Sequence, residues 1–248
     1  MDALPNNLLL RKLSSQGPLP ARDRQLIEAV PFQMREVGPD VDLVREGDRP
    51  THCLMIQEGF CCRYKTLADG RRQILSFGVA GDFLDLPGLV LDRIDHNICT
   101  LTSSKIATVP RAALAQLLES PNVTRLLWRD TLIDASVYRE WVLNIGRRNA
   151  YQRVAHVLCE LTTRLSLVGL AHNGVCELPI TQGELADATG LSTVHVNRVI
   201  QELRRDALIV MKGRYFSALN WERLQQAAGF EPGYLYLPAT PEPLAAAR

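Results

Sequence analysis

Nowhere in this 248-residue chain do about 18 apolar residues run together, so no membrane-spanning helix is expected. The early apolar run at 8–10 in MDALPNNLLLRKL is too short for the hydrophobic region of a secretory signal. Net charge is scarce too. The 28 Lys+Arg against 27 Asp+Glu leave +1, so any affinity for nucleic acid must come from local clustering. Six cysteines in a chain of this length make no disulfide scaffold, which points to a reduced, cytoplasmic protein. Missing as well are a nucleophile elbow, a phosphate-binding loop, an HExxH and a paired Cys-x-x-Cys. The five histidines follow no partner pattern, so no enzyme, catalytic residue, metal ligand or cofactor is expected.

The composition that is present, 46% hydrophobic and 22% charged, is that of an ordinary globular chain with one large or two small domains. From 41 to 83, glycines at Gly47, Gly59, Gly70 and Gly81 return every 11 or 12 residues. They separate the short β-rich runs HCLMIQ, FCCRYKT and QILSFGV. Strands at that interval suggest a sandwich, barrel or roll. The all-β reading continues through ICTLTSSKIATVP, where Pro110 closes the last strand.

After Pro110 the pattern turns helical. AALAQLLES reads as a short helix. A long one follows, with an apolar stripe at Leu126, Ile133, Val137, Trp141 and Ile145. Such a helix outruns the small domain before it, so part of the stripe is read as a dimer seam against a second copy, the alternative being that it packs only on its own β-domain. Gly146 ends it, residues 146–149 form a hinge, and NAYQRVAHVLCELTTRLSLVGL begins another helix. His156 is expected at its surface, and the Pro- and Ala-rich residues from Glu231 are expected to fray or lie as a strap.

The most informative stretch is ITQGELADATGLSTVHVNRVIQELRRD. Thr181 and Glu184 form a T-x-x-E capping box, and Ser192 is placed to cap a second helix. Ala186 and Gly190 are small where two helices cross, and Val196 falls where the second packs back on the first. On a wheel of about 100° per residue, Val196, Val199, Ile200 and Leu203 gather on the core side. Val194, Asn197, Arg198, Gln201 and Arg205 gather opposite. A solvated face has no need of Val194, whereas in a major groove an aliphatic group contacts a thymine methyl. Arg can bind guanine there, and Asn or Gln adenine. LIVMKGRYFSAL then reads as strands 208–211 and 215–218 joined by Lys212-Gly213-Arg214, a wing with a cationic tip for phosphates. The expected DNA-binding set is Thr181, Gln182, Ser192, Thr193, Val194, Asn197, Arg198, Gln201, Arg205, Lys212 and Arg214, with Arg204 near phosphate or solvent.

A glycine-punctuated roll, a long helix and a winged helix-turn-helix, in that order, resemble the Crp/Fnr family of bacterial transcription regulators. The resemblance spans roughly 23–230, most specifically LPITQGELADATGLSTVHVNRVIQELRRDALI and more loosely REGD, IQEGF and GDF. It implies an α+β protein with an amino-terminal segment (1–22), an antiparallel β-roll (23–120) and a dimerisation helix (121–146). A winged helix-turn-helix (147–230) and a tail (231–248) follow. It further implies a homodimer on a palindromic operator of double-stranded DNA, with half-sites about one helical turn apart. RNA polymerase is a further partner it allows. Arg198 stands at the family's guanine-reading position. Thr193, Val194 and Asn197 depart from other members, which implies a related but different operator.

The sensor motifs depart further. Asp85 and Leu86 stand where cyclic-nucleotide members carry Gly-Glu, and Arg93 is followed by Ile94 rather than Ser. These three are the candidate effector residues, for an effector that is unidentified or absent. No cysteine precedes Cys53, against an iron–sulfur cluster, and Asp85 and Pro87 stand where haem-based members carry Cys and His. Cys61 and Cys62 are strand neighbours on opposite faces and so make no chelating pair. The alternative reading is a nucleotide-like ligand-binding or redox-sensing protein whose helix-turn-helix serves protein interaction.

Overall fold

The structure, a computed structural model, describes residues 5–237; positions 1–4 and the end of the tail, 238–248, lie outside the described residues. Two helices, α1 (Pro5–Gln16) and α2 (Ala21–Glu28), precede the roll. The leucine run legible near the start belongs to α1, whose Leu9, Leu10 and Leu13 are buried. Helix α1 is thus part of a core, packed with Val123, Leu126 and Leu127.

The roll holds β1 (Gln33–Val37), β2 (Asp42–Val44), β3 (His52–Glu58), β4 (Cys61–Thr66), β5 (Arg72–Gly78), β6 (Asn97–Thr100) and β7 (Ser104–Pro110). They form two antiparallel sheets, β1-β7-β3 and β2-β6-β4-β5. Gly47, Gly59, Gly70 and Gly81 all take positive φ, the turn role that glycine fills without a Cβ clash. At Gly59 the need is also spatial, since an added Cβ would lie 2.8 Å from the Ser103 carbonyl oxygen.

Helix α3 (Arg111–Leu117) leads to α4 (Pro121–Arg147), capped by Ser120, which also donates to the buried Asp23 at 2.7 Å. Helix α5 (Ala150–Leu167) follows with an Asn149–Gln152 capping box. The α4 stripe divides differently from the expectation. Leu126, Val137 and Trp141 are buried in their own chain, and Trp141 meets Phe77 edge-on at 5.8 Å. Ile133 and Ile145 are half-buried, and Ile133 lines a cavity in its own chain. The exposed apolar face holds other residues: Trp128 (63% exposed), Leu132, Val142 (73%) and Leu143.

His156 corrects a second expectation. It is fully buried, stacked on Tyr234 at 5.9 Å and edge-on to Phe230 at 5.3 Å. Burial and the nearby Arg148 push its imidazole down to about 3, against the Glu140 carboxylate 3.3 Å from Nε2, so the ring is held neutral. The aromatics that cover it come from the carboxy-terminal segment, which sequence periodicity along α5 does not reveal. That segment behaves as a strap over 231–237: Tyr234 donates to the buried Glu160 at 2.7 Å, and Leu235 is buried.

The carboxy-terminal unit adds strands β8 (Ala171–His172) and β9 (Val175–Glu177), helices α6 (Gln182–Thr189) and α7 (Thr193–Arg205), strands β10 (Ile209–Lys212) and β11 (Tyr215–Ala218), and α8 (Trp221–Ala228). The wing's first strand begins and ends one residue later than expected, and the wing is one edge of a four-stranded sheet, β10-β11-β9-β8. One apolar cluster runs from Phe60, Ile74 and Phe77 of the roll through Trp141 into α5, α6 and α7.

Candidate nucleic-acid interface

Local chemistry sets the two helices of the interface. Thr181 Oγ1 accepts from the Glu184 amide at 3.1 Å, and Glu184 accepts from the Thr181 amide at 2.6 Å, which closes the capping box. Such a cap contributes about 1 kcal/mol. Gly190 ends α6 in the left-handed conformation (φ 66°, ψ 33°), open to glycine without strain. Two residues later Ser192 caps α7 by accepting from the His195 amide at 3.2 Å.

The wheel then separates cleanly. Val196, Val199, Ile200 and Leu203 are buried, joined to Leu185, Ala186 and Ala188 of α6. Ser192, Thr193, Val194, Asn197, Arg198, Gln201 and Arg205 are exposed, Val194 at 69%. A valine that exposed at a helix start gains little from folding. Asn197 donates to Gln182 at 3.0 Å, so the first residue of α6 orients an amide on the outer face of α7, a coupling the sequence reading did not find. Arg205 keeps only a loose 3.8 Å pair with Glu202. Among the described residues Arg198, Arg204, Lys212 and Arg214 form no side-chain ion pair. Arg198 and Arg205 on the outer face of α7, Arg204 on its flank, and Lys212 and Arg214 at the wing tip thus outnumber Glu202 and Asp206. That local excess supplies what the whole-chain balance lacks.

The effector candidates are not brought together. Asp85 is buried and accepts from the Leu54 amide at 2.7 Å, and burial pushes its carboxyl up to about 7. Leu86 packs in the amino-terminal core, and Arg93 sits on the surface, donating to the Gly47 carbonyl at 3.0 Å. Instead, Arg63 reaches into the roll from β4. It donates to the Leu84 and Phe83 carbonyls at 2.7 Å each, to Ser76 at 3.2 Å and to Asp134 of α4 at 3.1 Å. An arginine within FCCRYKT was the available signal, because a strand with both faces covered seldom holds a cation without a partner.

A cavity of about 480 Å³ lies between α1, the 79–82 turn, α4, α5 and the strap. Lys12 bridges Asp130 (3.0 Å) and Asp82 (3.5 Å) there, and Arg164 pairs with Asp82 at 2.6 Å. Ile133, Val137, Leu167 and Leu235 give it apolar walls. Among the described residues no group of three or more His, Cys, Asp or Glu is placed to hold a metal ion. None of the described helices is long and apolar enough to cross a membrane.

Two family models match the chain: a cyclic nucleotide-binding domain over residues 34–120 and a Crp-like helix-turn-helix domain over residues 152–227. The transcriptional activator protein FnrL of Cereibacter sphaeroides is 28% identical over 75% of this chain and 77% of its own. The transcriptional activatory protein AadR of Rhodopseudomonas palustris is 29% identical over 82% of this chain and 83% of its own. Among solved structures, FixK2 from Bradyrhizobium japonicum superposes with a TM-score of 0.74 at 25% identity, covering 80% of this chain and 98% of that one.

Proposed function

The chain belongs to the Crp/Fnr family of DNA-binding transcription regulators, and from that premise we propose that it acts as a cytoplasmic homodimer on a palindromic operator. The observation that carries this reading is the outer face of α7, where Val194, Asn197, Arg198 and Gln201 stand exposed and Arg198 forms no ion pair among the described residues. In the major groove Arg198 reads a guanine, Val194 meets a thymine methyl, and Asn197 or Gln201 pairs with adenine. Thr181, Gln182, Ser192 and Thr193 hold the register at the groove edge, while Arg205, Lys212 and Arg214 meet phosphates.

The regulator divides into a roll (23–120), a dimer helix (121–146) and a DNA-binding unit (147–230). The dimer seam runs along the uncovered face of α4, through Trp128, Leu132, Val142 and Leu143, which supports the homodimer without the inward residues first assigned to it. RNA polymerase is the further macromolecular partner in this reading. An effector, where one acts, occupies the cavity between roll, α4, α5 and strap, because within the roll Arg63 is already tied to the Phe83 and Leu84 carbonyls and Asp134, and Asp85 is turned to the Leu54 amide. Binding there biases the geometry of α4 against α5, and with it the spacing of the two reading helices.

The test is selection of DNA fragments from a random pool by the purified protein, followed by fluorescence-anisotropy titration of the selected sequence. A two-fold symmetric site is expected, with preference at one base pair per half-site lost in Arg198→Ala. An unsymmetrical selection, or an Arg198→Ala protein with unchanged base preference, would sink the reading.

A further inference from the structure

Cys62 on β4 and Cys99 on β6 stand directly opposite each other in the antiparallel register. Their sulfurs are 3.4 Å apart and both residues are buried. Cys61 lies in a separate cluster inside the roll, so strand alternation does divide Cys61 from Cys62 while a neighbouring strand supplies Cys62 with a partner. Burial pushes the thiols of Cys53, Cys61, Cys159 and Cys176 up, which leaves them poor nucleophiles. The Cys62–Cys99 pair differs: the shared hydrogen bond holds the Cys99 thiol below its usual range and, together with burial, pushes the Cys62 thiol up. The Arg72 guanidinium favours a thiolate at either sulfur.

Arg72 is also a link to the DNA-binding unit. It lies over the Tyr64 ring at 5.6 Å and donates to Asp187 of α6 at 2.7 Å. Its neighbour Gln73 donates to the Ala188 carbonyl at 3.3 Å. The apolar cluster containing Cys62 and Cys99 continues into Leu185 and Ala188. The dithiol therefore lies in the sheet on which the first helix of the helix-turn-helix rests.

We propose that Cys62 and Cys99 form an oxidation site, at which a small hydroperoxide converts the two thiols into an intrachain disulfide and weakens the support the roll gives α6. The Cys99 thiolate attacks one peroxide oxygen and the O–O bond breaks. Cys99 becomes a sulfenic acid, and the departing oxygen takes the thiol's proton, leaving as an alcohol, or as water from hydrogen peroxide. The Cys62 sulfur then attacks the sulfenic sulfur; the S–S bond forms, the S–O bond breaks, and water leaves with the Cys62 proton. The two sulfurs lose two electrons, which the peroxide gains. Closure from 3.4 Å to a bond of about 2.05 Å draws β4 toward β6. A close-packed interior transmits such a shift rather than absorbing it.

The test treats the full chain with hydrogen peroxide, alkylates the remaining thiols, and analyses a non-reduced tryptic digest by mass spectrometry. The expected product joins the peptide holding Cys62 to the one holding Cys99, two hydrogens lighter than the pair, and dithiothreitol releases it. Cys53→Ser and Cys61→Ser keep that link, whereas Cys62→Ser and Cys99→Ser, checked by thermal melting in the reduced state, lose it. Six alkylated cysteines, or a link through another pair, would overturn the site. In a second arm, oxidation lowers affinity for the selected operator at least three-fold, reversibly, and leaves Cys99→Ser unaffected. A linked protein with unchanged operator affinity would overturn the coupling to α6. Only this arm rests on the DNA-binding reading, so a missing link and a missing operator are distinguishable failures.

Discussion

The roll interior and the outer face of α7 use the same side chain in opposite ways. Arg63, buried on β4 of the roll, makes four hydrogen bonds, to two backbone carbonyls, a serine and the Asp134 carboxylate. Arg198, on α7, forms no ion pair among the described residues and stands in solvent. Folding uses the first guanidinium and leaves the second available. The difference teaches where to look for partners: groups completed within the chain hold it together, and groups left open await something else. Helix α4 carries both cases on one rod, with Val137 and Trp141 turned into the core and Trp128 and Val142 turned out.

The comparison is broken most severely at Arg63. Arg63→Ala leaves the Leu84 and Phe83 carbonyls without their donor inside a packed roll and unties β4 from α4. Removing one member of a buried charged network costs about 3–5 kcal/mol. The urea midpoint is expected to fall accordingly, and an unshifted midpoint would show that the roll does not depend on this arginine. A smaller loss follows at the open apolar face of α4. Leu132→Asp places a carboxylate in the proposed seam, where hot-spot truncations cost about 2–4 kcal/mol. Sedimentation is expected to show a folded monomer with an unchanged far-ultraviolet circular dichroism spectrum; a persistent dimer would put the seam elsewhere.

Arg198→Ala is the mirror of Arg63→Ala. It is expected to leave the urea midpoint in place and weaken operator binding by about 1–3 kcal/mol, concentrated at one base pair per half-site. Lys212→Ala is expected to cost less, uniformly across sequences, and to reduce the salt slope of binding by about one. A base-specific loss from Lys212→Ala would exchange the two assignments.

What was legible in the sequence is local, and what was missed is mutual. The Thr181–Glu184 box, the Ser192 cap, the left-handed Gly190 and the buried set Val196, Val199, Ile200 and Leu203 depend on spacings within a few residues. The roll's glycine rhythm is likewise local. The direction in which α4 faces is not. Its apolar residues form two stripes, and only the packing of roll, α1 and α5 decides that Leu126, Val137 and Trp141 are covered while Trp128 and Leu132 are not. His156 was misplaced for the same reason, because its cover comes from Phe230 and Tyr234, more than seventy residues away. The Cys62–Cys99 contact and the cavity beside Lys12 likewise require the register of separate elements.

The finest test of the contrast uses pH, because two titratable groups of the interior pull stability in opposite directions while the proposed reading face carries neither. Burial pushes the Asp85 carboxyl up to about 7, above its unfolded value of about 3.9. The folded chain therefore binds the extra proton between those values, and this contribution is present at low pH and lost as pH rises toward 7. His156 behaves inversely. Its folded value of about 3 lies below the unfolded one of about 6.5, so the unfolded chain binds the extra proton, and stability is lost as pH falls from 6.5 toward 3. Between about pH 4 and 6.5 the two slopes oppose each other. Relative to wild type, Asp85→Asn is expected to gain melting temperature with rising pH across that span, and His156→Phe to lose it, by a few degrees each. Operator affinity at pH 7 and fixed salt is expected to stay within a factor of two in both variants. Parallel melting profiles for all three proteins would mean that neither group is held away from its solution behaviour, and the interior would then be less sealed than the burial of Asp85 and His156 indicates.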